Sequence, residues 1–92
     1  MITVSAIPLS DAEATRRLLA TTVEAAVSTG AHAAVSGASR AGDLEAWTFQ
    51  RIEDVESLLA LLEGCRRHGT VAQDIVHSID RLIAKLTVAS RS

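Results

Sequence analysis

The sequence predicts an all-α fold, a three-helix bundle preceded by an extended N-terminal arm. Apolar residues recur at helical spacing in three segments, residues 10–30, 43–69 and 70–88. A residue that favours helix starts opens each segment, and glycines close the first two. Only a short turn separates the second segment from the third. This predicts an antiparallel helical hairpin, with the first helix packed across it.

Residues 1–9 form the predicted extended N-terminal arm. Ile2, Val4 and Ala6 alternate with polar residues, which is the period of a strand. Pro8 disfavours helical dihedrals at the residue before it. A lone strand is not stable, so we expect the arm to pair, to pack or to stay loose, and pairing across a dimer is one option.

The first helix is predicted to begin at Ser10, which forms a capping box with Glu13. Gly30 suits the left-handed position that ends many helices. Most residues from 30 to 42 are glycine, alanine or serine. This composition predicts either a loop or a short helix around residues 31–36. The apolar stripe of the first helix consists of Leu18, Leu19, Thr22, Val23, Ala26 and Val27.

The second helix is predicted to start at Asp43 as N-cap and to stop at Gly69. An alternative comes from residues 46–49, Ala-Trp-Thr-Phe, which favour a strand. In that α+β alternative a small hairpin occupies residues 32–50, and the helix starts near Ile52. The apolar stripe of the long helix is Leu44, Trp47, Ile52, Val55, Leu58, Leu59 and Leu62.

The third helix is predicted to begin with a second capping box at residues 70–73, Thr-Val-Ala-Gln. We expect a single helical domain over residues 10–89, because a chain of 92 residues has room for one core. Residues 90–92 are predicted to be a frayed tail. The stripe of this helix is Ala72, Ile75, Val76, Ile79, Leu82, Ile83 and Leu86.

Composition excludes several classes of protein. A net charge of −2 gives no electrostatic reason to bind nucleic acid. The single Cys65 excludes an internal disulfide framework. No apolar run is long enough to span a bilayer and no secretion signal is evident, so we expect a cytoplasmic protein without membrane contact. The excess of alanine, and of arginine over lysine, indicates the coding bias of a GC-rich, bacterial genome.

Reactive side chains are few. Cys65 and His68 are three residues apart on a predicted helix, and His77 on the next helix is a conceivable third zinc ligand. A fourth ligand and a Cys-x-x-Cys pair are both missing, so we predict no metal site. The glycine-containing residues 37–42 match no phosphate-binding fingerprint. With no nucleophile–base pair in evidence either, we predict neither a cofactor nor enzymatic activity.

These observations predict a small non-catalytic protein-interaction module: an adaptor, an accessory subunit or an assembly partner. Its broad apolar helix faces favour self-association or binding of another protein. Trp47 and Phe49 are the aromatic interface candidates, because aromatic residues are enriched at binding hot spots. If Trp47 faces the core, Phe49 points elsewhere and is the stronger candidate of the two. Glu53, Glu56 and Glu63 complete the candidate interface as the acidic face of the second helix.

The alternative fold suggests a different function. Its order of elements is strand, helix, hairpin, helix, helix, with Met-Ile-Thr-Val-Ser at residues 1–5 and Glu-Asp-Val-Glu-Ser-Leu-Leu at residues 53–59. This arrangement resembles the Phd/YefM-type antitoxins. The resemblance implies a dimeric DNA-binding regulator, in which Arg16 and Arg17 on the first helix contact phosphates.

Overall fold

In a computed structural model that describes residues 1–21 and 27–91, the chain folds into a three-stranded antiparallel sheet with helices on one face. The all-α three-helix bundle is therefore wrong, and the fold is α+β. The sheet order is β1-β3-β2. In chain order the elements are β1 (Ile2–Pro8), α1 (Leu9–Thr21), α2 (Thr29–Ser36), β2 (Ser39–Ala41), β3 (Leu44–Phe49), α3 (Ile52–Arg67), a 3₁₀ turn (Gln73–Ile75) and α4 (Val76–Ser90).

The main error of the helical prediction lies in β3. Glu45, Trp47 and Phe49 are buried and the positions between them are more exposed, which is the period of a strand. The predicted second helix is therefore α3, and it begins only at Ile52. A two-residue turn joins β2 to β3, and Gly42 takes the positive φ of 63° that a tight hairpin turn needs. The hairpin of the alternative prediction exists, but it is shorter than the predicted range of residues 32–50. It consists of β2 and β3, and residues 32–36 belong to the helix α2.

The N-terminal arm is a strand, as its alternation predicts, and it pairs within the chain. β1 runs antiparallel to β3, with Thr3 opposite Thr48 and Val4 opposite Trp47. The register shifts between Val4 and Ile7, where Ala6 has a φ of 56°. A bulge of this kind bends the strand and interrupts its ladder of hydrogen bonds.

The helix predicted over residues 10–30 is divided differently. α1 begins one residue earlier than expected, and its predicted stripe at residues 22–26 lies outside the described part of the chain. Gly30 does not end this helix but lies in the first turn of α2, where a Cβ would overlap the carboxylate of Asp54. Ser28 is the N-cap of α2, and its hydroxyl accepts a hydrogen bond from the backbone N–H of Ala31 at 3.1 Å.

α3 and α4 pack antiparallel, since Arg66 near the end of α3 bonds Asp80 near the start of α4, with a Nε–Oδ1 distance of 2.8 Å. The turn between them is longer than predicted, because α4 begins at Val76 after the 3₁₀ turn. Thr70 does not cap α4. Its backbone N–H and its hydroxyl both donate to the carbonyl of Cys65, at 3.0 and 3.2 Å, and so close the end of α3.

One core lies between the sheet and the helices. The inward side chains of β1 and β3 meet apolar residues from all four helices, which explains why the stripes of α3 and α4 are broad. No helix in the described ranges is both long and apolar enough to cross a membrane. The largest fully buried apolar side chains are Trp47, Phe49, Ile7, Leu58, Leu62, Ile79, Leu82, Leu86 and Val55.

Candidate functional site

The two aromatic interface candidates lie in the core. Trp47 and Phe49 are both 0% exposed. Residues two apart in a strand share a face, whereas in the predicted helix they would point in different directions. The expectation that Phe49 points away from Trp47 therefore does not hold, and neither ring reaches the surface.

The three acidic candidates do reach the surface. Glu53, Glu56 and Glu63 are exposed along α3, on the side opposite the buried Val55 and Leu62. Among the described residues, Glu53 is the one of the three within ion-pair distance of a cation, with its Oε2 4.0 Å from Nε of Arg51. We call the exposed row formed by Glu53, Glu56 and Glu63 the acidic stripe. Its role in binding stays a prediction.

A buried carboxylate that was not predicted from the sequence lies on β3. Glu45 is only 5% exposed, and it accepts two hydrogen bonds from Arg16, at 2.9 and 2.7 Å. Arg16 also donates to the carbonyl of Val35 at 2.8 Å, and Nε1 of Trp47 donates to Glu45 at 3.1 Å. The signal in the sequence was the alternation of β3, which places Glu45 on the same face as Trp47.

The hydrogen bonds from Arg16 hold the pKa of Glu45 below its ordinary value, against the opposing effect of burial, and the Trp47 indole lowers it further. The same contact raises the pKa of Arg16. Because its guanidinium is committed to Glu45 and to a backbone carbonyl, Arg16 has few donors left for a phosphate. The second predicted phosphate ligand, Arg17, is exposed and pairs with Asp74 at 3.0 Å.

Two further buried carboxylates hold elements together. Asp11 on α1 is 0% exposed and bonds Arg81 on α4 at 2.7 Å. Asp54 on α3 is 1% exposed, and its Oδ1 accepts hydrogen bonds from the Ser28 hydroxyl at 2.9 Å and from Arg51 at 3.4 Å. Each carboxylate joins helices that are distant in sequence, so both have a structural explanation.

The cysteine and histidine candidates are not assembled into a site. Cys65 is 8% exposed near the end of α3, whereas His68 and His77 are exposed. Within residues 1–21 and 27–91, no group of three or more His, Cys, Asp or Glu side chains is arranged to hold a metal ion.

An open groove of about 440 Å³ runs along β1. Its walls are Thr3 and Ser5 on the strand and Ala84, Lys85 and Val88 on α4. Val88, a large apolar side chain, is 68% exposed there. We call this feature the β1–α4 groove, and apart from Lys85 its wall residues are uncharged.

Comparison of the chain with protein-family models, with curated proteins and with solved structures finds no match. The assignment of function therefore rests on the surfaces just described.

Proposed function

We propose that the chain is a non-catalytic protein-interaction module, an adaptor, accessory subunit or assembly partner, that binds a basic partner protein through the acidic stripe of α3. The observation that carries this proposal is that two of the three exposed carboxylates of the stripe form no ion pair within the described part of the chain. Among the described residues Glu56 and Glu63 have no ion-pair partner, whereas Asp11, Glu45 and Asp54 are each paired with an arginine.

The scaffold under the stripe favours such a role. The opposite side of α3 is anchored in the core by Val55, Leu58 and Leu62, all 0% exposed. A rigid helix presents its side chains with little loss of conformational entropy on binding. Like charges along one exposed face steer an oppositely charged partner and increase its association rate.

A dimeric DNA-binding regulator is the second candidate. The observed order of elements favours it, since a strand, helices, a hairpin and further helices follow one another as the resemblance to Phd/YefM-type antitoxins implies. Against it stand the net charge of −2 and the engagement of Arg16 by Glu45. We therefore rank it below the interaction module.

The basic partner of the stripe is another protein, because a second copy of this chain has a net charge of −2. A second copy is proposed as a further partner that binds elsewhere on the chain. A cytoplasmic location fits this proposal, because thiols stay reduced in the cytoplasm and the single Cys65 has no second cysteine in the chain with which to form a disulfide.

The test is affinity capture from the native host with three forms of the chain. The wild type is compared with the double variant Glu56→Gln/Glu63→Gln. The matched control, Glu13→Gln/Asp43→Asn, removes the same charge from exposed positions outside α3. Proteins are identified by mass spectrometry, and bound nucleic acid is quantified.

A stoichiometric protein that the wild type and the control retain, and that the stripe variant loses, supports the proposal. Equal capture by all three forms refutes the role of the acidic stripe. Recovery of specific DNA by all three forms moves the DNA-binding regulator to first place.

A further inference from the structure

The two edge strands of the sheet, β2 and β1, are protected against further strand pairing to different degrees. β2 ends one side of the sheet, and it is only three residues long with the charged Arg40 at its centre. Short edge strands and edge charges are the devices by which proteins prevent unwanted strand pairing. The β2 edge is therefore a poor template for another strand.

β1 ends the other side, and only its second half is protected. The bulge interrupts the strand at Ala6, whose carbonyl accepts a hydrogen bond from Lys85 Nζ at 2.7 Å. Pro8 has no N–H to offer. The first half, Ile2–Val4, has no charge, no proline and no bulge. This half of the edge is thus a receptive template for a strand.

The β1–α4 groove runs along this half of the edge. It fixes the chemistry of its occupant in two ways. The unpaired backbone groups of an edge strand are complementary to another extended backbone. The wall residues Thr3, Ser5, Ala84 and Val88 are uncharged, which favours an uncharged occupant. The charged group in the wall, the Lys85 ammonium, already donates hydrogen bonds to the carbonyls of Ser5 and Ala6.

The chain itself contains a strand of this description. Residues 2–4, Ile-Thr-Val, are uncharged and already extended, so they lose little conformational entropy on pairing. Antiparallel pairing of β1 with β1 of a second copy follows a two-fold axis, which makes the contact self-complementary. No like charges meet within the paired segment, because it contains none.

We propose that a second copy of the chain binds at this edge, with β1 pairing to β1 so that the two sheets become one six-stranded antiparallel sheet with the order β2-β3-β1-β1-β3-β2. The α4 helices then approach each other across the same axis through Ala84 and Val88. The inference specifies the surface for self-association, and it does not involve the acidic stripe.

The test is sedimentation velocity over protein concentrations from micromolar to hundreds of micromolar. The edge variant is Thr3→Lys, which places two like charges close together at the dimer axis. The matched control is Thr48→Lys, the same substitution directly opposite on the central strand β3. Both residues are exposed, and both variants break the same 3.4 Å contact between the two threonine hydroxyls.

We expect the wild type and Thr48→Lys to dimerise, and Thr3→Lys to raise the dimer dissociation constant about tenfold. Circular dichroism confirms that each variant is folded. A wild type that stays monomeric at the highest concentration overturns the inference. An equal rise of the dimer dissociation constant in Thr3→Lys and Thr48→Lys also overturns it, because it indicates a dimer through the face of the sheet.

The outcome is separable from that of the acidic-stripe proposal. Capture of a partner protein by Glu56 and Glu63 does not require the edge, so Thr3→Lys leaves it unchanged if both proposals hold. A monomeric wild type that still captures a partner through the stripe refutes only the edge dimer.

Discussion

Replacement of Arg16 by methionine tests the buried ion pair that joins α1 to the sheet. Arg16→Met keeps most of the aliphatic stem, but it removes both hydrogen bonds to Glu45 and the bond to the carbonyl of Val35. Glu45, at 5% exposure, then keeps the hydrogen bond from the Trp47 indole but has lost its ion-pair partner. Breaking a buried pair in this way typically costs about 3–5 kcal/mol. Because Arg16 itself is 38% exposed, we expect a smaller loss, about 2–3 kcal/mol.

The assay is urea unfolding followed by the fluorescence of Trp47. This is the single tryptophan of the chain, and its indole is fully buried and bonded to Glu45. The matched control is Glu45→Gln, whose amide oxygen can replace Oε1 as the acceptor for Nη2 of Arg16 and for Trp47. It removes the charge, and it replaces the acceptor of Arg16 Nη1 by an NH2 donor. We expect it to cost about 1 kcal/mol. The double variant should lose less than the sum of the two single variants, since they remove one shared interaction.

The pH dependence provides a second check. The contacts of Arg16 and Trp47 depress the pKa of Glu45 in the folded state. Its contribution to stability is therefore complete above the pKa of an exposed glutamate, about 4.3, and is lost as the pH falls below this value through the depressed pKa. The difference between wild type and Arg16→Met should shrink over that range. A loss under about 0.5 kcal/mol at neutral pH, or a loss that stays unchanged in acid, would refute the reasoning.

Three glycine and alanine substitutions test the backbone of the fold. Gly30→Ala should destabilise the protein by at least about 2 kcal/mol because its Cβ overlaps the buried Asp54, and thermal unfolding measures the loss. Gly64→Ala, in α3 with open space around it, should instead stabilise by about 0.5–1 kcal/mol; a similar loss at both sites would contradict the packing of α2 on α3. Ala6→Gly should relieve the positive φ and change stability by less than about 1 kcal/mol in either direction, and a loss above about 2 kcal/mol would show that the alanine is not strained.

The sequence predicted the elements whose local signals are unambiguous. The alternation in β1 predicted a strand, and the apolar spacing in α3 after Ile52 predicted a helix. Residues 44–49 were misassigned because Leu44 and Trp47 are three apart, which also fits a helical stripe. Strand pairing decided the outcome, since β3 is the central strand between β1 and β2. That partnership is non-local and is not visible in the spacing of residues.

The residues of the candidate site also divide into those that local periodicity predicts and those that depend on strand pairing. The exposure of Glu53, Glu56 and Glu63 follows from helical periodicity, because α3 is a helix in both the predicted and the observed folds. The burial of Phe49 and the pairing of Glu45 with Arg16 depend on residues 44–49 being a strand. Neither could be predicted once that segment had been assigned to a helix.

The most direct test of the central claim is the binding of the captured partner protein as a function of ionic strength. For the wild type at low salt we predict a dissociation constant about tenfold lower than for Glu56→Gln/Glu63→Gln, with the difference closing as salt screens the charges. The control Glu13→Gln/Asp43→Asn should follow the wild type. Identical dissociation constants for the wild type and the stripe variant at every salt concentration would contradict the claim that α3 is the binding surface.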